Sequence, residues 1–154
     1  MPDGPQTLTI PLVAATIHGS VADIVISDHG RWRSHHWNAL QTAYGKSPFF
    51  EYYADDFRPF YTERWEHLAD YNAALHDTVM RLLNPPQDIS DRLAIADATA
   101  LMAKPEQQPW HLPQYYQVFA HNIGFHPNMS IVDLLFNMGP EAILLLMEAK
   151  KVEP

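Results

Sequence analysis

The sequence predicts a mainly α, α+β single domain with a small N-terminal β element packed on several helices. Three observations lead there. Tyr61, Trp65, Leu68, Asn72, Leu75, Val79 and Leu82 recur at alternating spacings of four and three, which draws one stripe along a helix. Leu8, Ile10 and Leu12 alternate with Thr9 and Pro11, the period of a strand. Thirteen prolines in 154 residues divide the chain into short elements with firm ends.

Each element has a local reason. The first strand ends at Pro11, which lacks the N–H a central ladder position needs, so it belongs at an edge. His18-Gly19-Ser20 suits a turn, and Val21 to Ile26 reads as a second strand because Ile24-Val25-Ile26 is β-branched throughout. Ser34 is placed to cap a helix running to Tyr44, with Trp37, Leu40 and Tyr44 on one face and Gly45 as its stop. Ser47-Pro48 signals the next helix start. The long stripe predicts one helix over Pro59 to Leu83, interrupted in polarity by Asn72 and stopped by Asn84-Pro85-Pro86. Residues 87–113 carry the least regular pattern, and Lys104 to Pro113 reads as a surface loop. Pro113 is placed to open a helix reaching about Asn122. Ser130 and Asp133 have capping-box spacing ahead of the apolar Ile131, Leu134, Leu135 and Met138. Gly139-Pro140 then reads as a stop and a restart, with Ile143, Leu144, Leu146 and Met147 burying the last helix.

Composition narrows the function classes. The net charge of −8, with ten scattered Lys and Arg, argues against nucleic acid as a partner and against an electrostatic hold on anionic lipid. The absence of cysteine excludes disulfides, thiolate catalysis and zinc–thiolate sites. The start, Met1-Pro2-Asp3-Gly4-Pro5, has neither the basic residues nor the apolar run of a signal peptide, and no apolar stretch approaches a membrane span. A cytoplasmic location is therefore expected. No glycine-rich phosphate loop and no Gly-x-Ser-x-Gly is present, which disfavours a Walker ATPase, a Rossmann enzyme and a standard serine hydrolase.

The densest polar-aromatic cluster is Asp28, His29, Arg31, Trp32, Arg33, His35 and His36. A general base needs an imidazole oriented by a carboxylate, and Asp28 could orient His29 or His36; His36 and Asp28 are the candidate catalytic residues. Arg31 or Arg33 could hold a phosphate, and Trp32 could stack on a base or sugar. The same residues also fit a histidine-rich helix entry with Trp37 and Tyr44 in the core. His29, His35 and His36 could supply imidazoles, yet no His-x-x-x-His pair or firm carboxylate spacing points to a metal, and the cofactor is left open. His121 and His126 flank a turn and are expected in solvent. Asp133 and Asn137, four apart, fall on one helical face and fit a polar pair at a pocket wall. The aromatic run from Phe49 to Tyr61 fits the core better than a sugar-binding wall, because each ring buries a large area.

The block Pro127 to Pro140 resembles the WbqC-like family, whose members occur in gene clusters for bacterial O-antigen and other surface polysaccharides. Further matching pieces are Leu8-Thr9-Ile10-Pro11, Trp32, His36-Trp37, Ala43-Tyr44, Ser47-Pro48-Phe49-Phe50, Tyr52-Tyr53, Leu68, Tyr71-Asn72, Leu75, Gln117 and Gly124-Phe125. The resemblance spans nearly all of residues 1–154, taken as one WbqC-like domain. The family pattern begins with a His/Gln-Pro-x-Tyr-x-Pro segment that is not found ahead of Leu8, so an N-terminally shortened member is expected. The resemblance implies a role in O-antigen synthesis, with glycine-type aminoacyl transfer to an amino sugar as the suggested reaction and a sugar or nucleotide-sugar as ligand. It also singles out Tyr44, Tyr52 and Gln117 as pocket candidates, each with a reachable polar end. A non-catalytic binding or scaffolding role is the alternative.

Overall fold

The computed structural model describes residues 4–18, 20–86 and 110–151. Its elements are α1 (Trp32–Tyr44), α2 (Phe50–Phe57), α3 (Pro59–Thr62), α4 (Leu68–Leu83), β1 (Trp110–His111), α5 (Ala120–Ile123), α6 (Ile131–Met138), α7 (Ala142–Glu148) and β2 (Lys150–Lys151). Short 3-10 turns cover Ala14–Thr16, Val21–Asp23 and Gly139–Glu141. The described chain is mainly helical, as the sequence predicts. The expectations for residues 87–109 lie outside the described residues.

The predicted N-terminal strands do not form a sheet. Val21–Asp23 is a 3-10 turn, and the two segments meet through a single antiparallel bridge, Leu12 to Ile26. A second bridge joins Val25 to His67. The long helix expected over Pro59–Leu83 is broken for the same reason. Glu63 is extended, the Glu66 carbonyl accepts from the Ile26 N–H, and the Leu68 N–H donates to the Ile24 carbonyl, so the chain on either side of His67 pairs with residues 24–26. The stripe therefore rotates between α3 and α4. Tyr71, Val79 and Leu83 are the buried positions of α4, and Asn72 is exposed. The strand pair present among the described residues is β1 with β2, antiparallel, with Trp110 opposite Lys151.

Helix ends follow local rules with exceptions. Asn84 closes α4 in the left-handed region, at φ 43°. The Ser130 hydroxyl accepts from the Val132 N–H at the start of α6. Gly139 follows α6 at φ 55°, and a Cβ there would lie 2.5 Å from the Phe49 ring. Gly45 ends α1 without positive φ; a Cβ there would sit 2.6 Å from the Gln41 carbonyl oxygen. Ser34 is not a cap: α1 begins two residues earlier, and Ser34 is exposed within its first turn. Ser47-Pro48 lies in a turn ahead of α2, and residues 112–117 are irregular instead of helical.

Two apolar clusters result. The larger joins α1, α2, α4, α6 and α7, with Phe136 at its centre. The Phe136 ring meets Tyr44, Phe50 and Phe57 at centroid distances of 5.2, 5.1 and 5.3 Å. Most of the aromatic run is thus core, as expected. The smaller cluster holds Ile26, Trp32, Phe60 and Tyr71, with Ile10, Leu12 and Trp65 packed against it. Between the clusters α1 presents His36, and beside it opens the cavity described next.

Candidate functional site

A cavity of about 500 Å³ lies beside α1, bounded by α3, α4, α5, the start of α6 and residues 4–10. Four residues singled out in the sequence converge on it: His36, Tyr44, Gln117 and Asp133. Tyr61, Tyr71, Leu40 and Leu75 give it an aromatic and aliphatic wall, and Asn72 and Ser130 add polar groups. A cavity of this size, apolar with a few fixed polar groups, has the general form of a small-molecule site.

The C-terminal side of the cavity is a network of buried polar groups centred on Asp133, which is 5% exposed. One carboxylate oxygen accepts from the Tyr115 hydroxyl at 2.6 Å and from Gln117 Nε2 at 3.0 Å. The other faces Asn137 Nδ2 at 3.3 Å, and Asn137 Nδ2 also donates to the Asp133 carbonyl at 2.8 Å. Asp133 also acts on the Tyr44 hydroxyl, whose pKa, like that of Tyr115, is raised first by burial and then by this carboxylate, well above the ordinary tyrosine value. Asn137 Oδ1 in turn accepts from the Ser47 hydroxyl and the Val118 N–H. The polar pair expected at Asp133 and Asn137 is therefore present. Asp133 reaches the cavity wall, whereas Asn137 sits behind it and ties α6 to residues 47 and 118.

Gln117 is committed in the same way. Its amide brackets the His126 backbone, accepting from the His126 N–H at 2.9 Å and donating to the His126 carbonyl at 2.8 Å. This grip fixes the loop after α5. His126, expected in solvent, is instead half-buried and lines the cavity, with Nε2 unpaired. The sequence offered little sign of it, since Gln117 and His126 meet only through an irregular loop.

His36 stands apart from that network. Its ring is buried, edge-on to Trp32 at 5.2 Å and to Tyr61 at 6.3 Å. Burial lowers its pKa below the ordinary histidine value; the Thr9 backbone opposes this, and His35 adds to it. Beside it, burial raises the pKa values of Tyr61 and Tyr71 above the ordinary tyrosine value.

The remainder of the predicted cluster does not join the cavity. Asp28 does not orient His36: its two oxygens pair with Arg33 Nη1 at 2.7 Å and Arg64 Nε at 2.9 Å, and Arg33 holds its pKa below the usual aspartate value. Trp32 is interior, its Nε1 donating to the Ser27 carbonyl, and Arg33 lies 4.7 Å over its ring. No open face of Trp32 is left for a sugar or base. Arg31 is exposed at the start of α1, and Tyr52 is 77% exposed on α2. The cause is helical geometry: residues 31–36 span well over one turn, so adjacent residues point to different sides. Among the described residues no three His, Asp or Glu side chains gather as a metal-ligand set.

A family profile described as the WbqC-like protein family matches residues 1–101 and 103–144. The chain belongs to the WbqC-like family. Uncharacterized protein Rv1507c of Mycobacterium tuberculosis is 27% identical to it over 177 aligned residues, covering 90% of this chain and 74% of that relative. No solved structure matches the chain. The match to the WbqC-like profile takes in α1, α4 and α6, the helices that supply His36, Asn72 and Asp133 to the cavity.

Proposed function

We propose that this WbqC-like protein binds a sugar-like small molecule in the cavity and acts in bacterial surface-polysaccharide synthesis, in a cytoplasmic setting. The observation that carries this reading is the convergence of His36, Tyr44, Gln117 and Asp133 on one cavity of about 500 Å³. Tyrosine rings suit the apolar face of a sugar, and the amide and hydroxyl groups suit its polar edge. No helix among the described residues is long and apolar enough to cross a membrane.

The reaction we favour is aminoacyl transfer to an amino sugar. The amine nitrogen attacks the carbonyl carbon of an activated aminoacyl ester or thioester. A C–N bond forms, the C–O or C–S bond breaks, and the leaving group departs with the electron pair. The amine proton passes to His36, which burial keeps in the neutral, proton-accepting form, and then to the leaving group. Asp133 and Gln117 serve as frame in this scheme, because their polar atoms already have partners. That commitment also favours the second reading, a binding protein without catalysis.

Thermal-shift titration with amino sugars, nucleotide-sugars and aminoacyl thioesters separates the two readings. A ligand that binds the native state raises the midpoint by mass action, and His36→Ala should weaken that shift. A flat response across all three classes would remove the ligand site. A shift that survives in His36→Ala, together with unchanged polysaccharide in cells carrying that folded variant, would leave the non-catalytic binder.

A further inference from the structure

We infer that the cavity takes a positively charged ligand, an organic ammonium, whose charge balances the buried carboxylate of Asp133. This rests on the reading of the cavity as a ligand site and selects among the ligand classes given there. Asp133 lines the cavity and is 5% exposed. Its partners are the Tyr115 hydroxyl at 2.6 Å, Gln117 Nε2 at 3.0 Å and Asn137 Nδ2 at 3.3 Å. All three are uncharged donors. They occupy lone pairs of the carboxylate and leave its charge in place. The ion pairs among the described residues belong to other acids: Arg33 and Arg64 to Asp28, and Arg81 to Asp56. A buried charge ordinarily has a counter-charge, because a medium of low dielectric makes an isolated one costly.

The rest of the lining supplies no such counter-charge. Among the described residues that bound the cavity there is no Lys or Arg. Burial keeps His36 neutral, and it keeps the hydroxyls of Tyr44, Tyr61 and Tyr71 protonated. His126 leaves Nε2 unpaired, so that nitrogen gives Asp133 no hydrogen bond. The tyrosine rings add to the preference, because a cation is drawn to the negative face of an aromatic ring. The apolar wall and the volume of about 500 Å³ fit an organic cation, and among the described residues no three His, Asp or Glu gather to hold a metal ion. A phosphate meets the opposite balance. It would sit near an uncompensated carboxylate, with no guanidinium or ammonium from the described lining to pair with it. In the transfer proposed above, the amino sugar is therefore the part seated in the cavity, and a phosphate-bearing molecule keeps its phosphates outside.

Benzylamine, benzyl alcohol and benzoate are close in size and, at about pH 7, carry positive, zero and negative charge. Each is titrated into the full chain at low salt and followed by proton–nitrogen NMR. Benzylamine should bind at least about tenfold more tightly than benzoate, with the alcohol between them. The Gln117 side-chain amide, which bonds Asp133, should shift with benzylamine and so place it in the cavity. Binding of benzoate as tight as that of benzylamine, no binding of any of the three, or a benzylamine response that leaves Gln117 unmoved overturns the inference. Asp133→Asn keeps the side chain's size and removes its charge. In the folded variant the preference for benzylamine should fall at least about threefold, and an undiminished preference would refute the role of Asp133. The wild-type series decides the question if that variant does not fold. Glucosamine, N-acetylglucosamine and glucose 1-phosphate repeat the comparison on a sugar ring. N-acetylglucosamine binding as tightly as glucosamine would leave the sugar site standing and overturn the charge preference. A preference for benzylamine with no sugar bound would uphold the charge preference and remove the sugar reading.

Discussion

Asp28 and Asp133 are both carboxylates that collect donors from separate parts of the chain, yet they do different work. Asp28 is 43% exposed at its side chain and takes two guanidinium groups, Arg33 at 19% and Arg64 at 80% exposed. Asp133 is 5% exposed and takes hydroxyl and amide donors in a buried setting. In water an ion pair exchanges one good environment for another and yields little. In the interior each donor left unpaired carries its full desolvation penalty. The cluster dense in charge along the sequence therefore holds the more exposed carboxylate, and its Arg64 pair contributes least. The sparse one, spread over residues 44 to 137, holds the cavity wall.

The contrast can be broken deliberately. The largest effect is expected at Gly139→Val, next to the buried network. Positive φ and a Cβ inside the Phe49 ring together predict a loss of about 4 kcal/mol in denaturant unfolding. Asp133→Leu removes the acceptor for Tyr115, Gln117 and Asn137 at once and should destabilise by about 3 kcal/mol. A loss below about 1 kcal/mol would mean those donors find other partners. Alkaline titration tests the same network from another side. The folded pKa values of Tyr44 and Tyr115 lie above the unfolded value of about 10, so the unfolded chain loses its protons first. Their contribution is complete below that pH and declines as pH rises past it. Tyr115→Phe should flatten the decline in a stability-versus-pH series. Ser130→Ala should cost about 0.5 kcal/mol, the low end for a cap, since its bond is long at 3.5 Å. Asp28→Ala should cost clearly less than Asp133→Leu in denaturant unfolding, the residual loss coming from Arg33, which is 19% exposed, and not from Arg64; an equal loss would erase the contrast between the two carboxylates.

Half of the candidate site was legible from the chain. His36 could be picked out because an imidazole in an aromatic helix is chemically conspicuous, and Asp133 with Asn137 because four-residue spacing places them on one helical face. Gln117 and Tyr44 stood out through the family pattern. Arg31, Trp32 and Tyr52 belonged to the same list and point elsewhere, one to solvent, one into the smaller cluster, one outward from α2. Nothing within a few residues of them distinguishes these outcomes. His126 was expected in solvent because it lies in irregular chain, where only its grip by Gln117 turns it to the cavity.

The sequence by itself determined the local punctuation and the helical character: the Ser130 cap, the left-handed Asn84, the glycine after α6 and the apolar faces of α4 and α6. Each depends on contacts within about one helical turn, which propensity and capping describe. Tertiary structure alone decided where the long stripe breaks, since the Glu66 carbonyl and the Leu68 N–H pair with the chain near residue 25. It also decided which polar groups meet. Ser47 and Asn137 bond across 90 residues of sequence, and burial of that kind is set by how helices pack, which no short-range pattern encodes.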